Sequence, residues 1–405
     1  MNEIRFRLRN FLSRTPVFPA ARSALNRVRN PLWEAKVLRH RNRIREEARR
    51  RGVQYRAVEA AKRIRANVTR KGIKPKAKGE LRIFTAYWSQ DWTGEQLLSA
   101  FQRFGQVRHF DLENEPDRFT WFRERRTEMN RRLLEAVSSW HRGKPVDVFF
   151  YYGGGLQILT STLQAINDLG IATMCMSADD TSGLAGEKLD GVDTKLASIA
   201  PYFDMCYTTT LAACEEYLLI GAQPYYLPLA ANPNVYRRMN VPKDIGVAIF
   251  GQAHGVRRAL VRDLRRKGVQ VQGYGPGWPS GRLSIEKLVE LINRAEIVLG
   301  HGHHSSFGES ARVQVTCLKG RDLEIPMCGA LYVTTFDPEL QLWFAIGEQI
   351  ICYRTVDDLT DTIHYLLDNP ARMEQIREAA WQRAHREHTW ERRIQQLFET
   401  LGVLV

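Results

Sequence analysis

No run of about 18 apolar residues occurs anywhere in the 405-residue chain, so the sequence offers no membrane-spanning helix. None of the six cysteines (Cys175, Cys206, Cys214, Cys317, Cys328, Cys352) forms a CxxC pair. That spacing weighs against zinc and disulfide frameworks and reads as small buried thiols in a reducing compartment. The N-terminus lacks the apolar core and small-residue cleavage site of a secretory signal. It is Arg-rich and acid-poor like a mitochondrial transit peptide, yet runs far beyond the usual length. No short-period repeat is visible. Acidic residues are scarce at one end only: residues 1–80 hold 24 Lys and Arg against 6 Asp and Glu, while residues 81–405 hold 35 against 39. The formal net charge of +14 therefore belongs to an arm, and the remainder is slightly acidic. A nucleic-acid reading is disfavoured, because the body has no basic excess and the arm has few aromatics to stack on bases.

What is present supports folded domains: 44% of residues are hydrophobic and 26% charged, enough for cores of ordinary size. Residues 1–80 read as a basic, largely helical arm. Within it Ile4, Leu8, Phe11 and Leu12 make a short amphipathic stripe among arginines. Residues 31–71 form a charge-dense helix that is solvated or docked on a partner, and Lys71–Gly79 (KGIKPKAKG) a linker. At Leu81 the composition changes. LRIFTAY is a buried-type strand, and Thr93-x-x-Gln96 a capping box opening a helix through Phe104. VRHFD, a helix over Phe119–Trp140, VDVFFYY, a helix to Gly170, IATMCMS, FDMCYT, a helix over Leu211–Ile220 and PYYLP continue a β/α alternation. The series restarts with IGVAIFGQ, helix 254–267, VQVQGYG, helix 284–294 and EIVLGHG. It closes with CLKGRDLEIPMCGALYVTT, EQIICYR and helices over 356–402. Buried, non-alternating strands separated by helices predict parallel, doubly wound sheets, whose ligands lie at the C-terminal strand ends.

FTAYWS, VDVFFYYGGG, ATMCMSADD, FDMCYTTT, YYLPLAANPNVYR and VAIFGQAHGVRRALVRDLRRKG occur in that order, followed by VQGYGPGW, EIVLGHG, KGRDLEIPMCGALYVTTFDPEL and HTWERR. On these segments the chain from about residue 81 to 400 resembles the CgeB-like (spore maturation protein) glycosyltransferases, with a C-terminal domain of the glycosyl-transferase group 1 type. The resemblance implies an α/β GT-B fold of two Rossmann-like domains facing across a cleft. An acceptor domain (81–235) would be followed by a nucleotide-sugar domain (236–385) and a closing helix (386–405). It also implies a cytoplasmic, hexosyltransferase-like enzyme that works without a bound metal or other cofactor. The partners implied are a nucleotide sugar, UDP- or GDP-linked, and a glycan, lipid-linked or protein acceptor. The basic arm, residues 1–70, adds an anionic membrane surface as a candidate partner.

The candidate site follows from the chemistry. Transfer from a nucleotide sugar needs positive field at the leaving diphosphate, supplied without a metal by backbone amides, helix N-termini and Arg or Lys. Gly251 and Gln252, between a strand and a helix whose first turns hold Arg257 and Arg258, suit a diphosphate. Tyr274 and Gly275, in GYGPGW, read either as a base-stacking element or as a Gly/Pro turn with a packing Trp278. His301, His303 and His304 follow another strand end and read as donor phosphate or sugar contacts, or as a surface loop. Lys319, Arg321 and Glu324 lie in the most distinctive motif. The resemblance assigns Glu324 to the ribose hydroxyls, a task that suits a carboxylate because it accepts two hydrogen bonds. The first acid of the family's Glu-x7-Glu pattern falls at Thr316, so the sugar-hydroxyl contact and the stereochemical outcome stay open. On the acceptor side, Gly153, Gly154 and Gly155 would admit a ligand close to backbone. Asp179 or Asp180 would accept a proton from the attacking hydroxyl, or cap a turn. Trp88, with Ser89, Gln90 and Asp91, completes the acceptor-side set. The competing reading is a catalytically degenerate GT-B scaffold that acts through its arm, and Thr316 is its support.

Overall fold

A computed structural model describes residues 18–89, 93–112, 118–178, 180–186, 188–253, 255–302 and 317–405. The amphipathic stripe at Ile4–Leu12 lies outside them, as do Gln90, Asp91, Asp179, His303, His304 and Thr316. The described chain forms two compact bodies. The first comprises His40–Arg237, Leu318–Met327 and Arg383–Val405. The second comprises Arg238–Cys317 and Cys328–Gln382, with the N-terminal part of the long helix α1 (Phe18–Arg50).

The first body is built on six parallel strands in the order β2-β1-β3-β4-β7-β8. They are β1 (Leu81–Tyr87), β2 (Gly105–Asp111), β3 (Val148–Tyr152), β4 (Ala172–Ser177), β7 (Met205–Thr208) and β8 (Pro224–Tyr226). A small antiparallel pair, β5 (Lys188–Leu189) and β6 (Val192–Asp193), stands apart. All seven residues of β1 are buried, as expected of a strand covered on both faces. Its helices are α2 (Ala57–Arg70), α3 (Arg118–Glu124), α4 (Arg126–Gly143), α5 (Thr160–Asp168) and α6 (Cys214–Leu219). The short α9 (Arg321–Met327) and the closing α12 (Trp390–Leu401) join them. The second body has five parallel strands in the order β10-β9-β11-β12-β13. They are β9 (Ile245–Phe250), β10 (Val271–Tyr274), β11 (Ala295–Leu299), β12 (Leu331–Thr335) and β13 (Ile351–Tyr353). Helices α7 (Gly255–Arg266), α8 (Ile285–Arg294), α10 (Val356–Leu367) and α11 (Pro370–Glu387) flank the sheet. Its core joins Val247, Ile249, Leu260, Leu264, Ile297, Val333 and Ile363. Two Rossmann-like bodies are thus present, as the β/α alternation predicts.

Four local expectations change. Thr93–Leu98 is a π-helix rather than a capping-box helix start. Gln96 is engaged far along the chain: its Oε1 accepts from the Trp390 indole N–H at 3.3 Å. The long helix expected over Phe119–Trp140 breaks at Arg125, and Arg126 turns inward to donate to the carbonyls of Gly155 and Ile158. The arm is not wholly solvated: α2 buries Ala60, Ile64 and Val68 and packs on β8 and α12. The predicted linker is a pinned strap. Lys71 Nζ meets Asp204 at 2.6 Å, Lys76 Nζ meets Asp147 at 2.7 Å, and Lys76 bridges to Leu404. Both aspartates also accept main-chain N–H groups, of Thr173 and Arg82. The strap lysines thereby neutralise buried carboxylates at the N-terminal ends of the sheet.

Cys175, Cys206, Cys214 and Cys328 are buried, as expected of small core thiols, whereas Cys317 and Cys352 are partly exposed. No helix among the described residues is long and apolar enough to cross a membrane.

Candidate functional site

In the second body the loops after β9, β10, β11 and β12 converge at the C-terminal ends of the parallel strands. Gly251 leaves β9 at φ +110° and Gly275 leaves β10 at φ +120°. A Cβ on Gly275 would stand 2.9 Å from the Gly251 carbonyl oxygen, so the two loops meet backbone to backbone. The Gly251 N–H donates to Tyr274 O, Ala253 N–H donates to Pro276 O, and the Trp278 indole donates to Gly251 O at 2.9 Å. A Cβ on Gly273 would enter the Trp278 ring at 2.4 Å. The GYGPGW glycines are thus required by the Trp278-packed turn. Tyr274, half-buried, stacks on Phe250 with centroids 5.4 Å apart and donates its hydroxyl to Gln272.

Arg257, in the first turn of α7, is buried, and its guanidinium donates to Gln252 O at 3.0 Å. Beside it the β11 loop is held by β12 and β13. Gly302 N–H donates to Thr335 Oγ1 at 2.9 Å, and the Tyr353 hydroxyl donates to Gly300 O at 3.0 Å. His301 is 5% exposed, with Nδ1 3.4 Å from Tyr353 Oη. Burial pushes the Tyr353 phenol far up, and the neighbouring Arg257 charge works against that rise. Gly251, Gln252, Arg257, Tyr274, Gly275 and His301 are therefore brought together by one sheet edge. Sequence reasoning missed Tyr353 and Thr335. Both end strands that sequence reasoning identified, so their strand-end position was the available signal.

Lys319, Arg321 and Glu324 belong by their contacts to the first body, not with the nucleotide domain expected over 236–385. Lys319 N–H donates to the Asp322 carboxylate at 2.6 Å and Lys319 O accepts Asp322 N–H, which closes the start of α9. Glu324, partly exposed, receives hydrogen bonds from Tyr236 and Gln96. Burial raises its carboxyl above the usual range, and Arg321 leads the effects that oppose the rise. A Cβ on Gly320 would lie 3.0 Å from Glu324 Oε1, so the glycine clears the carboxylate. Tyr236 and Gln96 were not among the expected site residues. Gln96 was hidden because its sequence context reads as a cap.

On the predicted acceptor side, the three glycines admit protein rather than ligand. A Cβ would stand 2.6 Å from the Tyr151 hydroxyl at Gly153, 2.4 Å from Thr194 O at Gly154 and 2.5 Å from Lys195 O at Gly155. Asp180 is buried and accepts hydroxyl donors from Ser177 and Thr208 at 2.6 Å each and from Tyr217 at 2.9 Å. Burial raises its pKa, and those three hydroxyls oppose the rise. Its carboxylate is thus committed to the strand ends of β4 and β7. Trp88 is 44% exposed. Next to it Ser89 donates its N–H to Asp111, and its hydroxyl lies 3.0 Å from His109 Nε2.

Residues 257–399 match the glycosyl transferase-like family. Among solved structures, the chain is similar to Anabaena HepE captured with UDP and glucose: 11% identity, TM-score 0.54, covering 80% of this chain and 100% of that one. It is also similar to a glycosyltransferase from Rickettsia africae: 8% identity, TM-score 0.53, covering 80% and 98%. The N-terminal domain of Candida albicans trehalose-6-phosphate phosphatase gives 11% identity and TM-score 0.52, covering 82% and 99%. A sequence comparison with curated proteins finds no match. Together with the two parallel sheets, these similarities assign the chain the GT-B fold.

Proposed function

We propose that the protein is a glycosyltransferase that moves a sugar from a nucleoside-diphosphate sugar to an acceptor hydroxyl, as the CgeB-like resemblance implies. The observation that carries the reading is the convergence of Gly251, Gln252, buried Arg257 and His301 at the strand ends of the second body. This part of the chain includes the start of the segment matching the glycosyl transferase-like family. A guanidinium fixed there by its own loop carbonyl sets positive charge where a leaving diphosphate needs it, without reorganisation during reaction. In this reading the field comes from Arg257 and loop amides, with no resident metal or cofactor. Within the second body Tyr274 is the candidate base contact; separately, the resemblance gives the ribose hydroxyls to Glu324, which accepts hydrogen bonds from Tyr236 and Gln96. The HepE neighbour was captured with UDP and glucose, so UDP-glucose is the donor to try first, with GDP-sugars next. The acceptor is a glycan, a lipid-linked sugar or a protein, reached from the cytoplasm.

The test is incubation with a panel of nucleotide sugars, reading released nucleoside diphosphate and the anomeric configuration of product by NMR. Glu324→Ala should weaken UDP binding at least tenfold by calorimetry, about 1.4 kcal/mol, as two hydroxyl bonds are lost. Unchanged affinity sinks the role given to Glu324. Thr316, standing where the family pattern has an acid, favours the second reading, a degenerate scaffold. Absence of both nucleotide release and ligand-induced thermal stabilisation across the panel would decide for it.

A further inference from the structure

Helix α7 has two faces of opposite character. Val256, Leu260, Val261 and Leu264 are buried in the core of the second body. Arg258, Arg262, Arg265 and Arg266, at i, i+4, i+7 and i+8, are all exposed along the opposite side. Eight residues of helix set this row along about 12 Å.

Helices α4 and α8 balance part of their exposed charge internally, whereas α2 carries Lys62, Arg63, Arg65 and Arg70 against Glu59. In α4, Arg131 sits between Glu128 and Glu135; in α8, Lys287 and Arg294 both meet Glu290. The α7 row has one acid, Asp263, at 2.9 Å from Arg262 and 3.8 Å from Arg266. Like charges at i,i+4 repel, so the α7 row retains a local cost that the acid-flanked cations of α4 and α8 reduce. A cavity of about 570 Å³ opens beside the row, lined by the four arginines and by Trp278. Arg258 donates to Ala253 O and Gly277 O, and Arg265 donates to Val271 O. Two of the four guanidinium groups are thus held in place by carbonyls, with further N–H donors remaining on each.

We propose that this face of α7 docks the protein on the phosphate headgroups of an anionic bilayer. Planar guanidinium groups with several donors suit phosphate oxygens, and a cluster of cations within a Debye length of an anionic leaflet is attracted collectively. Nucleic acid is the less favoured polyanion. Trp278 is the single aromatic in that lining, so successive bases have no series of rings to stack on.

The test is co-sedimentation of the full chain with vesicles of phosphatidylcholine, with and without phosphatidylglycerol. Wild type should sediment with the anionic vesicles only. R262E/R266E changes the two arginines that pair with Asp263, and should reduce the bound fraction at least fivefold. Its melting temperature should not move. K62E/R70E on α2 alters net charge equally and should retain binding. Equal loss in both variants, full binding by R262E/R266E, or equal sedimentation with neutral vesicles would each overturn the proposal. So would displacement from the vesicles by a single-stranded oligonucleotide at lower concentration than by soluble inorganic phosphate.

Discussion

At Gly300 there is no room for a side chain. A Cβ would stand 2.0 Å from the Tyr332 hydroxyl and 2.4 Å from Thr334 Oγ1, both on β12, while the Gly300 carbonyl accepts from Tyr353. Gly300→Ala must therefore push the β11 loop away from the strand that positions it. We expect a loss of about 1–3 kcal/mol in denaturant unfolding; a variant as stable as wild type would contradict the packing described. Asp180 gives a prediction in pH. Its folded pKa is raised, chiefly by burial, so between the unfolded and folded pKa values the native state binds more proton than the unfolded chain. Wild-type stability from this group falls as pH rises between the unfolded and folded pKa values, and is level beyond them. Asp180→Asn removes the titration, so the variant should gain on wild type as pH rises through that interval. Parallel stability–pH curves for the two proteins would refute the assignment.

At the scale of elements, the strands and their order of appearance were legible because buried parallel strands write themselves as continuous apolar runs, as LRIFTAY and VFFYY do. What was not legible depends on partners distant in sequence. The Gly153–Gly155 run reads as ligand access until Thr194 and Lys195 are seen to pass over it. Thr93–Gln96 reads as a cap until Trp390, almost 300 residues on, engages the glutamine. The strap Lys71–Gly79 reads as a linker because its lysines look solvated, whereas Lys71 reaches Asn167, Ile171 O and Asp204. Lys71→Met would leave the Asp204 carboxylate, only 7% exposed, without its cation. The expected cost is roughly 3 kcal/mol, the lower end for breaking a buried pair. K71M/D204N should recover part of that loss, since the uncompensated charge is gone. A double-mutant cycle with no coupling would show the strap to be ornamental.

For the whole molecule, the basic arm has to be divided. Its cations do not form one solvated tail: Lys71, Lys76 and Lys78 meet Asp204, Asp147 and Glu391 of the slightly acidic body. Helix α2 adds the buried side chains Ala60, Ile64 and Val68 to the first body. Helix α1 contributes less there, chiefly His40, whose Nε2 lies 2.9 Å from Glu216. Truncation should separate these roles. A chain beginning at residue 54 keeps α2 and the strap and should remain folded with a modest fall in melting temperature. A chain beginning at residue 81 loses the apolar face of α2 and uncovers two buried carboxylates at once. At roughly 3 kcal/mol for each broken pair, its melting temperature should drop by on the order of 10–20 °C relative to the longer truncate. Equal melting temperatures for the two truncates would mean that residues 54–80 only decorate the first body. The predicted gap instead makes that stretch part of its fold.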